Sequence, residues 1–397
     1  MRITILGGGP AGLYFALLMK RRHPSYAVTL IERDGPDDTF GWGIVFSDQT
    51  FEYLQQSDAE SYEAITAACE KWANVDIVHR GERITVRGNR FSGIARIRFL
   101  RVLQERCREV DVDLQFHQPV TATEMLPAAD LLVGADGASS LVRQTHEGTF
   151  RPTIEYGRNR YIWLGTRKLF HGLTLTFVPH ETGLYAAHSY KFDRETSTFI
   201  VECSEETWRT ADFEGMNEAE TCAFLQAVFR DHLDGQPLLT KNFVKWRNFP
   251  LVKNERWHGE HSTRAGFPGL SGAEGSRPAI VLLGDALHTA HFSIGSGTKL
   301  ALEDAIALAN AFDTYPDPDR ALPLFERTRR PRVEQLQAAA LDSLRWFEDM
   351  EQYIHLDPLP FALECMTRSG RVDIEKLRQR DPEFVERVLS STGRGRL

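Results

Sequence analysis

The chain has 397 residues, 42% of them hydrophobic, and its 47 Lys and Arg against 55 Asp and Glu give a formal net charge of −8. That acidity argues against bulk nucleic-acid binding, and the length suffices for a large core and two interleaved domains. Cys69, Cys107, Cys203, Cys222 and Cys365 have neither paired nor metal-type spacing, no basic leader precedes the first strand, and no apolar stretch there could cross a bilayer, so a soluble, cytoplasmic protein with reduced thiols and no membrane partner is expected.

The first element is a buried strand, Ile3-Thr4-Ile5-Leu6, followed by Gly7-Gly8-Gly9-Pro10-Ala11-Gly12 and a short apolar helix over Leu13–Met19. Gly7 permits a tight turn, Gly9 lets backbone approach a pyrophosphate, and Gly12 allows the helix to pack closely on the strand. Pro10 and Ala11 open the helix, whose free N–H groups favour negative charge. A second strand, Val28–Ile31, ends in Glu32, twenty residues past Gly12, where a carboxylate accepts from ribose hydroxyls. Arg33 beside it is grouped with the cofactor residues. An unrelated Gly-rich turn would not need strand, helix and acid in this order.

Further along, Arg80, Arg83, Arg87, Arg90, Arg96 and Arg98 crowd a short span. They read either as a phosphate-binding surface or as a solvated strand and loop face. Leu131–Gly134 is a strand delivering Asp136-Gly137, with Asp136 placed for a cofactor or for helix capping. From about residue 151 to 250 the texture changes to alternating strands such as Leu173–Val178 and Ser197–Glu202. Alternation sets His188 and Tyr190 on one side of a strand and Tyr185 on the other. His188 is then either a hydrogen-bond partner for a substrate phenol or a satisfied core histidine. Ile280–Leu283 is a strand delivering Gly284-Asp285, with His288 supporting the loop, His291 a candidate to face the active site, and Gly295-Ser296-Gly297 opening another helix. The pair His288 and His291 lacks the third ligand and helical pattern of a zinc site. Helical runs beyond Pro331, around Val333–Gln337, Leu341–Phe347 and Glu375–Arg380, suggest a C-terminal cap that completes the core.

The three ordered glycine segments, with Asp136-Gly137 and Gly284-Asp285, resemble the motifs of the single-component flavin-dependent aromatic hydroxylases, the para-hydroxybenzoate hydroxylase family. The resemblance runs from Met1 to about Pro331. It implies an α/β fold with a Rossmann-like FAD-binding domain over residues 1–150 and 251–330, part of the substrate pocket near 70–95, a mixed β-sheet substrate domain over 151–250 and C-terminal helices over 331–397. It implies that Asp285 holds the FAD ribitol and that Gly295, Ser296, Gly297 and Thr298 bring helix N-terminal amides to the pyrimidine edge. Arg96 would reach the FAD phosphates or adjoining ribose, and Gly41 and Gly43, in the loop Phe40–Ser47, would lie near the flavin ring.

Within that family, Phe40–Thr50 and His288–Leu300 look like the corresponding phrases of the acyl-CoA subgroup, the salicylyl-CoA 5-hydroxylases and the hydroxylase half of 2-aminobenzoyl-CoA monooxygenase/reductase. Phe292 stands where most relatives carry proline, and Lys299 where they carry asparagine. The implied activity is hydroxylation of an aromatic CoA thioester with FAD, NADH or NADPH and O2, through a flavin hydroperoxide, in a protein that a homodimer would suit. His188, His291 and Phe292 are the catalytic candidates, and Arg83, Arg87, Arg90, Tyr185 and Tyr190 the substrate-binding ones. Three other readings remain: a hydroxylase of free phenols or carrier-bound aromatics, a non-catalytic FAD-binding redox sensor, and a halogenase, which Trp246–Pro250 only echoes.

Overall fold

The computed structural model describes residues 1–241, 244–259 and 278–391; part of the expected 251–330 span, residues 260–277, lies outside them. Its first sheet has six strands in the order His258–Gly259, Ala279–Leu282, Leu131–Gly134, Arg2–Leu6, Ala27–Ile31, Asp113–Gln115. All neighbours run parallel except the short His258–Gly259 edge. Parallel strands require crossovers, and the helix Pro10–Arg22 supplies the first one. The inner strands are buried and apolar, and the helix Pro10–Arg22 packs on Gly297–Thr314 within the same core cluster. The turn after the first strand is tight for a definite reason. Gly7 has φ +113°, and a Cβ there would come within 2.2 Å of the Ala135 carbonyl oxygen.

The second sheet joins Val75–His79 and Glu82–Val86 to strands drawn from residues 152–254. The long strand Pro152–Thr166 pairs with three others, and the Leu173–His180 strand meets Val75–His79 in parallel. Residue alternation gives this sheet two apolar faces. One face carries Ile162, Tyr185, Phe199 and Val201 against Phe213 and Phe229; the other carries Val75, Ile84, Leu175 and Phe177 against the C-terminal helices. A small third sheet of Gly43–Ser47, Phe91–Ala95 and Glu70–Trp72 lies between these parts in the chain.

Pro331 does not end a helix. A single helix runs from Pro318 to Glu348 with Pro323 and Pro331 inside it, so the runs expected at 333–337 and 341–347 are one element. An internal proline costs about 3 kcal/mol through a lost hydrogen bond and a ring clash. Burial at both ends opposes that cost: Leu322, Phe325 and Val333 sit in the core of the first sheet, and Trp346 and Phe347 in the core of the second. No described helix is long and apolar enough to cross a membrane.

Candidate functional site

The helix Pro10–Arg22 begins at Gly9 with no side chain capping its first N–H groups. A Cβ built on Gly9 meets nothing within 4 Å, so the helix start faces open space of the kind a phosphate fills. Glu32 reaches this turn and accepts from the Gly8 N–H at 2.6 Å and from the Asp34 N–H at 3.0 Å. Arg33 is exposed and turned to Asp34 at 3.3 Å. The Asp136 carboxylate is committed to the helix that follows it, accepting from Ser140 Oγ at 2.5 Å and the Leu141 N–H at 2.6 Å. That is the capping role.

A cavity of about 640 Å³ is lined by residues of the second and third sheets, by the loop and helix start after the strand Ala279–Leu282, and by the C-terminal segment. At one end lie Asp285, Arg96, Gly43 and the helix start Gly295-Ser296-Gly297-Thr298. The helix Gly297–Thr314 has no side-chain cap either, and a Cβ on Gly297 would meet nothing within 4 Å. Asp285 touches the cavity yet is ringed by protein, and that enclosure raises its carboxyl above the ordinary range, with Arg96 opposing. Arg96 donates to Thr39 Oγ1 at 3.0 Å and has no carboxylate within ion-pair distance among the described residues. The loop bearing Asp285 is anchored from behind: His288 Nε2 lies 2.9 Å from Asp304, which Arg329 also meets at 2.8 Å. Gly41 packs against the Trp163 ring, itself part of the cavity wall.

The next stretch of wall is apolar and aromatic, with Trp163, Leu175, His188, Ile200, Phe249 and Phe292. His188 and Tyr190 face the cavity, whereas Tyr185 lies on the opposite face of the sheet, in the Phe213 and Phe224 cluster, with its hydroxyl 2.8 Å from Thr182 Oγ1. Tyr190 donates to the Gly43 carbonyl at 2.8 Å, which fixes the loop. His188 is backed by the buried Glu202, 3.1 Å away, and Asn159 donates to the same carboxylate at 2.9 Å. Burial alone would raise Glu202, but the His188 and Asn159 hydrogen bonds and the nearby His291 hold it below the ordinary range. His291 does not line the cavity. It sits behind Phe292, 2.7 Å from Ser293 Oγ, and burial lowers it to about 4.

Of the three arginines expected at a substrate's phosphates, one stands at the cavity. Arg90 lines it. Arg83 points to the other face of its strand and meets Asp76 at 3.0 Å, because Ile84 and Val86 take the face toward the C-terminal helices. Arg87 is occupied in holding the C-terminal segment, through Glu383 at 2.7 Å and through its own N–H to Asp381 at 2.7 Å. The residues that sequence reasoning missed are Glu202, visible as a lone carboxylate in an otherwise uncharged strand, and Arg368, Arg371 and Arg380 of the cavity wall, which carried no local signal.

No family model matches the chain. Among curated proteins, it is 38% identical to a salicyloyl-CoA 5-hydroxylase from Streptomyces sp, over 98% of this chain and 73% of that one. It is 32% identical to protodeoxyviolaceinate monooxygenase of Chromobacterium violaceum, over 91% and 93%, and 32% to a 3-hydroxy-4-methyl-anthranilyl-[aryl-carrier protein] 5-monooxygenase of Streptosporangium sibiricum, over 94% and 95%. Among solved structures, 2-methyl-3-hydroxypyridine-5-carboxylic acid oxygenase superposes with a TM-score of 0.70 at 17% identity, covering 96% of this chain and 97% of that one. A Pseudomonas aeruginosa protein described as a probable FAD-dependent monooxygenase superposes at 0.62 and 16% identity, covering 89% and 98%. With a three-sheet α/β fold, a glycine-rich helix start, an aromatic cavity and relatives that are aromatic monooxygenases, the protein is an aromatic monooxygenase of the flavin-dependent kind. The chain belongs to the single-component FAD-dependent aromatic hydroxylases, the para-hydroxybenzoate hydroxylase family.

Proposed function

We propose that the chain hydroxylates the ring of an aromatic acyl-CoA thioester, salicyloyl-CoA or a hydroxy- or aminobenzoyl-CoA, with FAD, O2 and NADH or NADPH. The observation that carries this reading is a single cavity with cofactor-type groups at one end and an apolar, aromatic stretch beside them. When bound, FAD accepts electrons from the nicotinamide and activates dioxygen for transfer of one atom to the ring. The residues present fit it: two uncapped helix starts, the open space at Gly9, Asp285 for a ribitol hydroxyl, and Arg96 for phosphate or ribose.

The protein's own work is binding, orientation and exclusion of water. Phe292, Trp163, Phe249, Ile200 and Leu175 form an apolar slot for a planar ring, and a dry slot limits loss of activated oxygen as peroxide. An electron-releasing hydroxyl or amino group makes the ring the electron donor. His188 lines the cavity and would accept its hydrogen, with Glu202 fixing the imidazole's orientation. His291 is a positioning residue behind Phe292, and Tyr190 a positioning residue for the Gly43 loop.

The test is oxygen uptake and NADH oxidation by the flavin-loaded enzyme with salicyloyl-CoA and with salicylate. A thioester-stimulated rate at least about tenfold above that of the free acid is expected from the binding energy of the tail. Equal stimulation by salicylate, or none by either, overturns the reading.

A further inference from the structure

The outer wall of the cavity is strongly basic in a chain whose net charge is −8. Its basic residues are Arg90, Arg96, Lys299, Arg368, Arg371 and Arg380, against the carboxylates of Asp48 and Asp285 alone. Asp285 and Arg96 belong to the cofactor end, and Lys299 is paired with Glu303. Arg371 and Arg380 have no ion-pair partner among the described residues: Arg380 donates only to Asn89 Oδ1 at 3.2 Å, and Arg371 has no side-chain hydrogen bond. Arg90 has only Asp48, at 4.0 Å. Arg368 is held by neutral groups, Ser343 Oγ at 2.9 Å and the Ser293 carbonyl at 2.7 Å.

Guanidinium groups without counterions cost energy to hold together, and Arg371 shows it: partial desolvation and the neighbouring Arg380 both lower its proton affinity. Glu303, the one carboxylate acting on Arg371 from a distance, is itself engaged by Lys299 and Arg329. The arrangement is nonetheless built. Gly88 has φ +75°, and a Cβ there would come within 2.7 Å of the Arg380 carbonyl oxygen, so the loop carrying Arg90 is pressed against the segment carrying Arg380. Arg87 and Asp381 lock the same contact at 2.7 Å. Two stretches of chain almost 300 residues apart are fastened so that Arg90 and Arg380 line one cavity.

We propose that Arg90, Arg371 and Arg380 bind the phosphates of a coenzyme A tail whose acyl ring occupies the slot beside Phe292. This rests on the thioester reading and adds the site to it. A phosphodiester arm of a carrier protein brings about one negative charge, whereas the pyrophosphate and terminal phosphate of free CoA together bring about four. Two unpaired guanidiniums, with Arg90 held only by an exposed carboxylate at 4.0 Å, match the second, and the guanidinium fork suits phosphate.

The test is binding of CoA, 4′-phosphopantetheine and pantetheine to the flavin-loaded protein by calorimetry at low salt, in wild type and in R371Q/R380Q. The wild type should bind CoA about tenfold or more tightly than 4′-phosphopantetheine, with pantetheine weaker still, and the double variant should lose about tenfold or more for CoA while retaining FAD. Equal CoA affinity in variant and wild type, or 4′-phosphopantetheine binding as tightly as CoA, overturns the assignment. If the variant fails to retain FAD, the wild-type ligand series decides alone. CoA bound as expected without turnover of any aromatic thioester keeps this site and sinks the hydroxylation reading. Thioester turnover with wild type and variant binding CoA alike does the reverse.

Discussion

At Gly9 the backbone faces open space, whereas a side chain at Gly7 would run into Ala135. The two glycines therefore separate cofactor binding from folding. Gly9→Val adds a branched side chain where the pyrophosphate would lie but touches nothing in the protein itself. The purified variant should be colourless, with an apoprotein stability within about 1 kcal/mol of wild type, since the change falls at a helix N-cap. Flavin absorbance and the unfolding midpoint measure the two halves, and a yellow variant would refute the placement. Asp285 carries the complementary case, because its carboxylate opens into the cavity without a side-chain hydrogen bond among the described residues.

The elements differ in how far their sequence announces them. Gly88→Ala strains a residue at φ +75° and pushes a Cβ toward the Arg380 carbonyl, so it should cost about 1–3 kcal/mol in urea unfolding and weaken CoA binding, with FAD retained. Unaltered stability and CoA affinity would mean that the loop and the C-terminal segment do not hold each other. The glycine-rich helix start and the strand before it were readable because the demands of a tight turn and an uncapped helix are local. His188 and Tyr190 sharing a face followed from strand alternation, and the same rule applied to Ile84 and Val86 turns Arg83 away from the cavity. Arg371 and Arg380 had no such cue, because what brings them to Arg90 is tertiary packing. The helix Pro318–Glu348 was hidden by Pro331, whose local penalty is outweighed by burial at both ends.

For the whole molecule, the buried ionisable groups near the cavity set an acid limit. His291 is lowered from 6.5 to about 4 by burial, so the folded chain keeps it neutral while the unfolded chain takes up a proton. The unfolded state then binds more protons, and stability falls as pH drops from 6.5 toward 4, by on the order of 3 kcal/mol for this group. Glu202 and Asp304, held below the ordinary carboxylate range, add losses of the same sign at lower pH; Asp136 and Asp285, raised above it, oppose them. The thermal midpoint should fall between pH 6.5 and 4.5, and His291→Gln should flatten that slope. A parallel slope in the variant would place the acid sensitivity elsewhere.

The helix Pro318–Glu348 is one rod with an end in each of two cores, and Arg329 near its middle steadies the carboxylate behind the loop that carries Asp285. A disturbance at either end therefore falls on one continuous element instead of being absorbed in a linker. Swapping the helices Pro358–Thr367 and Pro382–Ser391 with those of a relative would have to preserve the seat of Trp346 and Phe347, or the exchange would be felt at the loop that carries Asp285.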